Sequence, residues 1–340
     1  MSARRPWAWP LVPAYAATLA VKDWLRQAGA LRVNRLQRPV VSVGSISAGG
    51  AGKTPVVIAL AKMLREHAWD VDVLTRGYGR MGHKEEWVAS QGDGAAQRFG
   101  DEPVLIARET GVMVWVGTDR FAAGEMAEVG FSAQRRGLHL LDDGFQHRQL
   151  ARDFDVVLIT EQDLEDALLP AGNRREGFEA LKRADAVVVR EEELEAVRER
   201  VWPLMREGAQ MWLVRRRMHF PAPLFVFGAG LRPVAFCSVA RPEGFQAMLM
   251  GAGCGVVETV AFDDHHVYSM RDIEKIVAIA KSLKATGFVT TEKDAVKLTV
   301  SMREWLETVG PLMVVTLEAE FADGEAVIRA IEAKLEAQTA

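Results

Sequence analysis

Residues 43–55 read Val43-Gly44-Ser45-Ile46-Ser47-Ala48-Gly49-Gly50-Ala51-Gly52-Lys53-Thr54-Pro55, an apolar strand end followed by a glycine-rich turn and the start of a helix. This order, with Gly-Lys-Thr after the turn, is typical of a P-loop. Glycines let backbone N–H groups converge on phosphate oxygens because no Cβ stands in the way. We predict that the Lys53 amine reaches the β- and γ-phosphates of a nucleotide and that the Thr54 hydroxyl ligates Mg²⁺. The predicted phosphate-contacting residues are Ser47, Ala48, Gly49, Gly50, Ala51, Gly52, Lys53 and Thr54.

The loop departs from the general P-loop pattern at one position. Ser47 stands where G-x-x-x-x-G-K-[ST] has its first glycine, and Gly49 and Gly50 supply backbone freedom nearby. The simplest alternative is a tight strand-to-helix turn with a surface lysine. The flanking patterns favour the P-loop, and Pro55 suits the first turn of a helix, where its missing N–H costs nothing.

An acidic pair follows a later apolar run, Leu138-His139-Leu140-Leu141-Asp142-Asp143-Gly144. An apolar strand that ends in aspartate is typical of the Walker B motif, which holds Mg²⁺ beside the phosphate loop. Either aspartate suits this role, and we favour Asp142 because it comes first after the run. The alternative is that the pair caps a helix.

Apolar, β-branched runs alternate with helical patterns over much of the chain. Near-continuous apolar strands are typical of a parallel sheet covered on both faces, and alternation with helices favours an α/β fold. We therefore predict an α/β fold of the P-loop NTPase type, with a mostly parallel sheet flanked by helices and a second, smaller α/β domain. The first strands are predicted at 39–43, 71–75, 112–116, 138–141, 156–160 and 186–189, and a helix at 54–67.

The pattern changes near residues 190–230. A charged helix is predicted at 191–199, and then Arg215–Arg217 and the Pro221/Pro223 pair break the alternation. A shorter series follows, with strands predicted at 234–236, 256–262, 288–290 and 313–317 and helices at 242–250, 270–284 and 324–337. The predicted organisation is an N-terminal membrane-associating region at 1–38, a P-loop domain at 39–220, a smaller α/β domain closing over the active site at 221–320, and a C-terminal helix at 321–340.

Composition narrows the class of protein. The chain has 340 residues, of which 49% are hydrophobic and 26% charged, so it is an ordinary globular protein rather than a disordered or fibrous one. A net charge of -4 argues against general nucleic-acid binding. Cys237 and Cys254 are too few for a disulfide framework and lie in no zinc pattern, which favours a reducing, cytoplasmic compartment.

The N-terminal region is basic and apolar. Residues 1–38 carry seven lysines or arginines against one acid, Asp23, around an apolar run from Trp7 to Val21. This apolar run is shorter than the ~20 residues that a membrane-spanning helix needs. Tryptophans beside arginines suit a helix lying in the lipid interface on anionic phosphates. The alternative is an amphipathic helix packed against its own domain.

Several separate segments resemble one family, tetraacyldisaccharide 4'-kinase, the lipid A 4'-kinase of Gram-negative bacteria. They occur in the family's order and cover nearly the whole chain, and the family also begins with a basic, apolar membrane-binding helix. The family's own loop lacks the first Walker glycine, so Ser47 agrees with it, whereas the middle of the 169–176 segment departs from its pattern. The segments are VGSISAGGAGKTP (43–55), TRGYG (75–79), GDEPVLIAR (100–108), DDGFQHRQLARD (142–153), LPAGNRRE (169–176), DDHH (263–266) and TEKDAVK (291–297).

The resemblance implies an activity. It implies transfer of the γ-phosphate of ATP, with Mg²⁺, to the 4'-hydroxyl of a tetraacylated glucosamine disaccharide 1-phosphate, giving lipid IVA. The work is expected at anionic lipids on the cytoplasmic face of the inner membrane, with the protein bound peripherally. No nucleic acid and no obligate protein partner are implied.

The resemblance also implies roles for single residues. Asp101 matches the family's general base, His265 its catalytic histidine, and Arg175 its active-site arginine. His265 is expected to pair with Asp101 and either raise its basicity or hold its orientation. This pairing is expected to need closure of one domain over the other. The lysines of the TEKDAVK segment, Lys293 and Lys297, are expected to have structural or hinge roles.

Simpler interpretations stay open for these residues. Asp101 before Glu102-Pro103 suits a helix N-cap, and Arg175 suits an ordinary surface position. The Asp263-Asp264-His265-His266 segment offers metal-binding side chains, but neighbours on a strand point to opposite faces. Two other classes of protein remain as alternatives: a P-loop ATPase or GTPase switch, which needs no Asp101/His265 pair, and a membrane-tethered nucleotide-binding module without chemistry.

Overall fold

A computed structural model of the chain describes residues 5–82, 84–129, 136–220, 232–240 and 242–339. The described residues fall into two compact units, each assembled from separate parts of the sequence. The first unit comprises Met1–Arg76, Val112–Arg216 and Ala319–Ala340, and the second comprises Gly77–Gly111 and Arg217–Glu318.

The first unit is built on a parallel sheet. Its strands are β1 (Val40–Ser45), β2 (Asp70–Thr75), β4 (Met113–Val116), β5 (Gly137–Asp142), β6 (Phe154–Leu158), β7 (Ala186–Arg190) and β8 (Gln210–His219). They lie in the order β8-β7-β6-β1-β5-β2-β4, and each described pairing between neighbours is parallel. All residues of β1, β5, β6 and β7 are buried, as their apolar sequences require of strands covered on both faces.

Helices of the first unit pack their apolar stripes against this sheet. The helix after β1 buries Val56, Val57, Leu60, Ala61 and Leu64 along one side. The described helices of this unit are α1 (Val12–Gln27), α2 (Lys53–Glu66), α5 (Arg120–Val129), α6 (Glu161–Glu165), α7 (Leu194–Val201) and α12 (Gly324–Thr339). Short 3₁₀ segments lie at Pro6–Leu11, Phe178–Arg183, Glu191–Glu193 and Trp202–Leu204.

The second unit contains a smaller parallel sheet. Strands β9 (Pro233–Cys237), β10 (Glu258–Ala261), β11 (Gly287–Thr291) and β12 (Leu312–Phe321) lie in the order β10-β9-β11-β12, and their described pairings are parallel. A two-residue strand, β3, covers Glu86–Trp87. The helices described here are α3 (Ala95–Phe99), α4 (Asp101–Thr110), α8 (Pro242–Gly251), α9 (Met270–Ser282), α10 (Glu292–Ala295) and α11 (Val300–Glu307).

The predicted α/β fold with a mostly parallel sheet is confirmed, and the predicted strands are all present, with ends that differ by at most four residues. One local prediction is wrong: residues 215–217 do not break the pattern but continue β8. The Arg215 and Arg216 guanidiniums lie 2.8 and 2.7 Å from carboxylate oxygens of Glu191 and Glu192, so charge pairing lets a strand carry an arginine run. The Pro221/Pro223 pair lies outside the described residues.

Sheet topology places two sequence motifs side by side. β1, which leads into the glycine-rich loop, pairs directly with β5, and Val43 lies opposite Asp142 in the register. Because parallel strands end at the same edge of a sheet, the loop and the acidic pair emerge together, where α/β folds bind ligands.

The N-terminal segment is docked on the first unit but remains largely exposed. Ala8 is buried against Ala167 and Ala171, whereas every side chain of α1 is at least partly exposed. Among the described residues, none of the helices has the combination of length and hydropathy that crossing a membrane requires.

Candidate active site

The glycine-rich loop between β1 and α2 depends on left-handed backbone conformations. Gly49, Gly50 and Gly52 have φ values of 73°, 67° and 84°, a region that residues with a Cβ rarely adopt. Gly52 is also the N-cap of α2, which begins at Lys53. Backbone N–H groups at the start of a helix favour anions, so the loop has the backbone of a phosphate site.

Lys53 and Arg175 share one carboxylate in the first unit. The Lys53 amine lies 3.4 Å from Asp143 Oδ1, and the Arg175 guanidinium donates to both Asp143 oxygens at 3.0 and 2.8 Å. Burial raises the pKa of Asp143, but the charges of Lys53 and Arg175 outweigh it and hold the pKa below its usual range. The site therefore contains an ionised carboxylate between two cations.

Asp142 and Asp143 have different surroundings although they are adjacent in sequence. Asp142 is buried and accepts a hydrogen bond of 2.8 Å from the Thr75 hydroxyl, which β2 supplies. Asp143, with a φ of 49°, is turned towards the cations. Thr54 and these two carboxylates offer the oxygen ligands that Mg²⁺ prefers, so the donor set fits the predicted metal.

Arg175 is held in place through Gln146. The Gln146 side-chain oxygen accepts from Arg175 at 3.1 Å, while its amide donates to Ser45 O and to Glu176 Oε1, both at 2.9 Å. Arg183 donates to the other Glu176 oxygen at 2.7 Å. Glu176 therefore orients Arg175 through an amide between them.

The backbone settles which arginine of the 169–176 segment faces the site. Ser47 forms an antiparallel bridge with Arg174, and the Arg175 N–H donates to Ile46 O at 2.6 Å. This register sends Arg175 to Asp143, whereas the Arg174 guanidinium lies over the Phe178 ring, 4.7 Å from its centroid. The alternative of an ordinary surface position therefore does not describe Arg175, whose side chain is 26% exposed and pairs with Asp143.

The second unit brings Asp101 and His265 together. Asp101 is the first residue of α4, and His265 follows β10 in a turn, with a φ of 61°. The His265 Nδ1 lies 3.1 and 3.0 Å from the two Asp101 oxygens. Both residues belong to the same unit, so the pair forms without the closure that we expected it to need.

The electrostatics of this pair favour an ionised carboxylate and raise the pKa of the imidazole. Burial raises the pKa of Asp101, but the His265 hydrogen bond and the Lys293 and Lys297 charges outweigh it and lower the pKa strongly. The Asp101 contact raises the pKa of His265, against burial and the nearby Lys293 charge. The His265 hydrogen bond therefore lowers the pKa of Asp101 and does not increase its basicity.

The helix-cap interpretation of Asp101 does not describe its contacts. Gly100, with a φ of 97°, is the N-cap of α4, and Asp101 lies one position further on. Asp101 Oδ1 accepts locally from the Glu102 N–H at 2.9 Å, yet both carboxylate oxygens also face His265. A glycine at the cap leaves the aspartate carboxylate available for the second contact.

The neighbouring histidine has a different environment. His266 stacks on Phe262 with ring centroids 4.7 Å apart, and its Nε2 lies 3.2 Å from Asp272 Oδ2 at the start of α9. The segment is a turn rather than the strand we assumed. Within the part of the chain that the structure describes, no group of three or more His, Cys, Asp or Glu side chains is arranged to hold a metal ion.

Comparison with known proteins decides the family. The sequence profile described as tetraacyldisaccharide-1-P 4'-kinase matches residues 4–336. A tetraacyldisaccharide 4'-kinase of Koribacter versatilis is 40% identical over 326 residues, covering 94% of this chain and 96% of that protein. One from Geobacter metallireducens is 37% identical over 293 residues, covering 84% and 86%. The chain belongs to the tetraacyldisaccharide-1-P 4'-kinase family.

A solved structure of the same family agrees. The crystal structure of LpxK from Aquifex aeolicus in complex with ATP has a TM-score of 0.76 and 27% identity, covering 97% of this chain and 99% of that one. The structural similarity to the Aquifex aeolicus protein therefore covers the sequence of both compact units.

Two lysines of this tetraacyldisaccharide-1-P 4'-kinase family member lie closer to the acid–base pair than the sequence suggested. Lys293 Nζ is 3.9 Å and Lys297 Nζ 3.4 Å from Asp101 Oδ2. The family resemblance implies structural or hinge roles for these lysines, and the simpler interpretation is that they are ordinary solvated charges at a helix start. Their side chains are instead 19% and 4% exposed, which depends on tertiary packing.

Proposed function

We propose that the protein phosphorylates the 4'-hydroxyl of tetraacyldisaccharide 1-phosphate with ATP, forming lipid IVA in lipid A biosynthesis. The observation that carries the proposal is the Asp101–His265 pair in a chain whose other unit holds a complete Gly-Lys-Thr loop. A nucleotide switch that activates water needs the loop but has no use for this pair. Family membership supports the same activity.

The first unit is suited to hold ATP. The backbone N–H groups of residues 47–54 would bind the phosphates, and Lys53 would neutralise the β- and γ-phosphates. Bound by Thr54, Asp142 and Asp143, Mg²⁺ would draw negative charge from the phosphate oxygens. Arg175, already beside Asp143, would stabilise the charge that develops on the transferred phosphoryl group.

The second unit supplies the base. Asp101 would accept the proton of the 4'-hydroxyl, while His265 holds the carboxylate in one orientation. A carboxylate with a low pKa is a weak base, but it is fully ionised at neutral pH. In a loose phosphoryl-transfer transition state the charge lies mainly on the phosphoryl group, so positioning of the hydroxyl matters more than strong proton abstraction.

The N-terminal segment suits a lipid acceptor on the cytoplasmic face of the inner membrane. Trp7, Trp9 and Trp24 are exposed on or beside α1. The helix is tied to the segment that carries Arg175, because the Tyr15 hydroxyl donates to Arg175 O at 2.9 Å. We propose that α1 lies in the interface and brings this segment to the membrane surface, where an anionic lipid substrate is found.

A phosphoryl-transfer assay tests the proposal. Purified protein in detergent micelles receives γ-labelled ATP, Mg²⁺ and tetraacyldisaccharide 1-phosphate, and label is followed in lipid and in free phosphate. We expect label on the lipid, lost in Lys53→Ala and reduced about 10²- to 10⁴-fold in Asp101→Asn, which keeps the size of the side chain. Label in free phosphate alone, indifferent to lipid and to Asp101→Asn, would identify an ATPase switch instead.

A further inference from the structure

Lys297 is a buried ammonium group with partners on two sides. Its Nζ donates to Ser238 Oγ at 2.6 Å and lies 3.2 Å from Asp294 Oδ1. On another side it lies 3.4 Å from Asp101 Oδ2. Lys297 therefore joins a structural cluster of the second unit to the proposed base.

The structural end of this connection is rigid. Asp294 is fully buried and accepts hydrogen bonds from the Ser238 N–H at 3.0 Å and the Thr291 hydroxyl at 2.7 Å. Ser238 directly follows β9, and Thr291 ends β11 and caps α10. Because adjacent strands fix these donors, the Lys297 ammonium has little freedom to follow Asp101 if the carboxylate rotates.

A buried cation needs a negative partner, and Asp294 already provides one. Placing the same cation beside Asp101 is therefore not explained by neutralising Lys297. Lys293 differs, since its side chain is partly exposed and its Nζ also lies 3.4 Å from Glu102 and 3.3 Å from Asp264. The Lys293 ammonium is therefore shared among several carboxylates. The Lys297 ammonium is instead held in one position by Ser238 and Asp294.

We propose that Lys297, anchored by Asp294 and Ser238, is a positioning residue that fixes the Asp101 carboxylate for the acceptor hydroxyl. The inference rests on the proposed function and assigns to this lysine a part in it. His265 and Lys297 then approach the carboxylate as two fixed partners, so that rotation of Asp101 would break one contact or the other.

The same contact has an electrostatic consequence. A cation near a carboxylate favours the ionised form, and the Lys297 charge is one of the causes that lower the pKa of Asp101. Removing it should make the carboxylate protonate at higher pH. The charged and titratable groups around Asp101 and its anchor are Glu102, Asp264, His265, Lys293, Asp294, Lys297, Cys237 and Tyr268.

The test uses the variant Lys297→Met/Asp294→Asn, which removes both buried charges and avoids leaving Asp294 unpaired. We expect kcat to fall about tenfold or more near neutral pH, where Asp101 stays ionised, because the carboxylate is no longer held for the acceptor hydroxyl, and we expect the acidic limb of the pH profile to move to higher pH. The KM for ATP should stay unchanged, because the nucleotide loop is untouched. Lys297→Arg keeps the charge and should retain the acidic limb of the wild-type profile.

Lys293→Met is the matched comparison, since it removes a lysine at a similar distance without the buried anchor. The Lys293 amine also lies 3.4 Å from His265 Nε2, so we expect Lys293→Met to lower kcat as well, and the double variant to lower kcat further at high pH, where Asp101 is ionised in both. A folded double variant with the wild-type kcat and pH profile would overturn the inference. If the double variant does not fold, Lys297→Gln keeps a donor to Ser238, and the same two outcomes apply.

A second readout separates this inference from the proposed function. The His265 ring is followed by NMR against pH in the intact protein, with no substrate. Loss of the Lys297 charge should raise the pKa of His265, because one cation fewer lies near the Asp101–His265 pair. An inactive wild-type protein would contradict the kinase proposal alone, whereas an unchanged His265 titration would contradict the role of Lys297.

Discussion

Asp142 and Asp143 show how two adjacent, identical residues acquire different roles. Asp142 bonds to the Thr75 hydroxyl and is anchored to the sheet. Asp143 lies between Lys53 and Arg175 and sets their positions before any nucleotide binds. The two carboxylates therefore differ in what their removal should disturb.

Asparagine substitutions should separate the roles of these two aspartates. Asp142→Asn keeps an acceptor for Thr75 and loses a metal-binding charge, so we expect a higher Mg²⁺ requirement with kcat recovering at saturating Mg²⁺. Asp143→Asn also releases Lys53 and Arg175, so we expect kcat to fall about 10²-fold and not to recover. Transfer rates measured over a series of Mg²⁺ concentrations check this, and identical Mg²⁺ profiles for the two variants would contradict it.

The sequence allowed prediction of single site residues better than of their partners. Lys53, Thr54 and the acidic pair follow from local patterns, because strand, turn and helix starts determine their positions. Asp101, His265 and Arg175 came only from the family resemblance. The burial of Lys297 was not predictable, since its anchor Ser238 lies 59 residues away in sequence and a lysine near a helix start usually faces solvent.

At the scale of elements, β1 and the segment after β5 approach very closely. A Cβ added to Gly44 would lie 2.6 Å from Phe145 Cβ and 2.8 Å from its backbone N. Phe145 is fully buried, so neither strand nor ring has room to move. The glycine in β1 therefore sets the spacing between the phosphate loop and the acidic pair.

Gly44→Ala should destabilise the protein by about 1–3 kcal/mol, because overpacking a buried contact displaces backbone. Gly251→Ala is the matched control, since a Cβ at this helix end would meet no described atom within 4 Å. Urea denaturation followed by circular dichroism gives both free energies of unfolding. Equal stability of the two variants would mean that the close approach is relaxed in solution.

A buried ion cluster ties three elements of the first unit together. His139 in β5 is fully buried, with Nδ1 2.8 Å from Asp72 Oδ1 in β2 and Nε2 3.3 Å from Glu128 Oε1 in α5. Ionised carboxylates only accept hydrogen bonds, so a His139 that donates to both carries a proton on each ring nitrogen, although burial also raises the pKa of Asp72. Burial lowers the pKa of His139, but the two carboxylates outweigh burial and raise it above 6.5.

Stability should therefore decrease as the pH rises through the pKa of folded His139. A group with a raised pKa in the folded state contributes fully below its unfolded value of 6.5, and that contribution disappears above the folded value. The difference in free energy of unfolding between wild type and His139→Gln should be largest near pH 6 and shrink towards pH 9. A neutral His139 tautomer in nitrogen NMR spectra at pH 6 would contradict this.

Strands were predictable where the local sequence pattern agrees with the burial that the fold imposes on them. The buried strands of both sheets are mostly apolar, so their existence followed from the sequence, with only their ends displaced. β8 was missed because its arginines look like a break, yet they pair with glutamates far along the chain. Charge pairing of this kind carries no local signal.

At the scale of the whole molecule, chain order did not predict which segments fold together. Residues 77–111 lie within the P-loop part of the sequence but belong to the second compact unit, together with 217–318. Asp101 and His265 thus share a unit despite a separation of 164 residues. A domain prediction that assigns consecutive residues to one domain cannot show that a segment inserted in one part of the sequence folds with another part.

The N-terminal segment presents an exposed aromatic surface that water does not favour. Trp7, Trp9 and Trp24 are 75%, 53% and 65% exposed. Some of the nearby positive charge is already engaged, because Arg35 pairs with Asp153 and Arg26 with Asp23. Binding to a bilayer should therefore depend more on the tryptophans than the seven basic residues of the region suggest.

Replacing these three tryptophans by serine should weaken binding to vesicles containing anionic lipid by about 10³-fold or more, since each fully buried large apolar side chain contributes about 1.5–3 kcal/mol. Trp202→Ser is the matched control, because Trp202 is 54% exposed on the same unit but away from α1 in sequence. Vesicle sedimentation at low and high salt separates the two contributions, since salt screens charge and leaves burial intact. We expect wild-type binding to vesicles to persist at high salt. If high salt abolished wild-type binding, and the triple variant still bound at low salt, the attachment would be due to charge.

Because acceptor lipid reaches the enzyme only in the membrane plane, the triple variant should also transfer phosphate slowly in vesicles yet normally to acceptor in detergent.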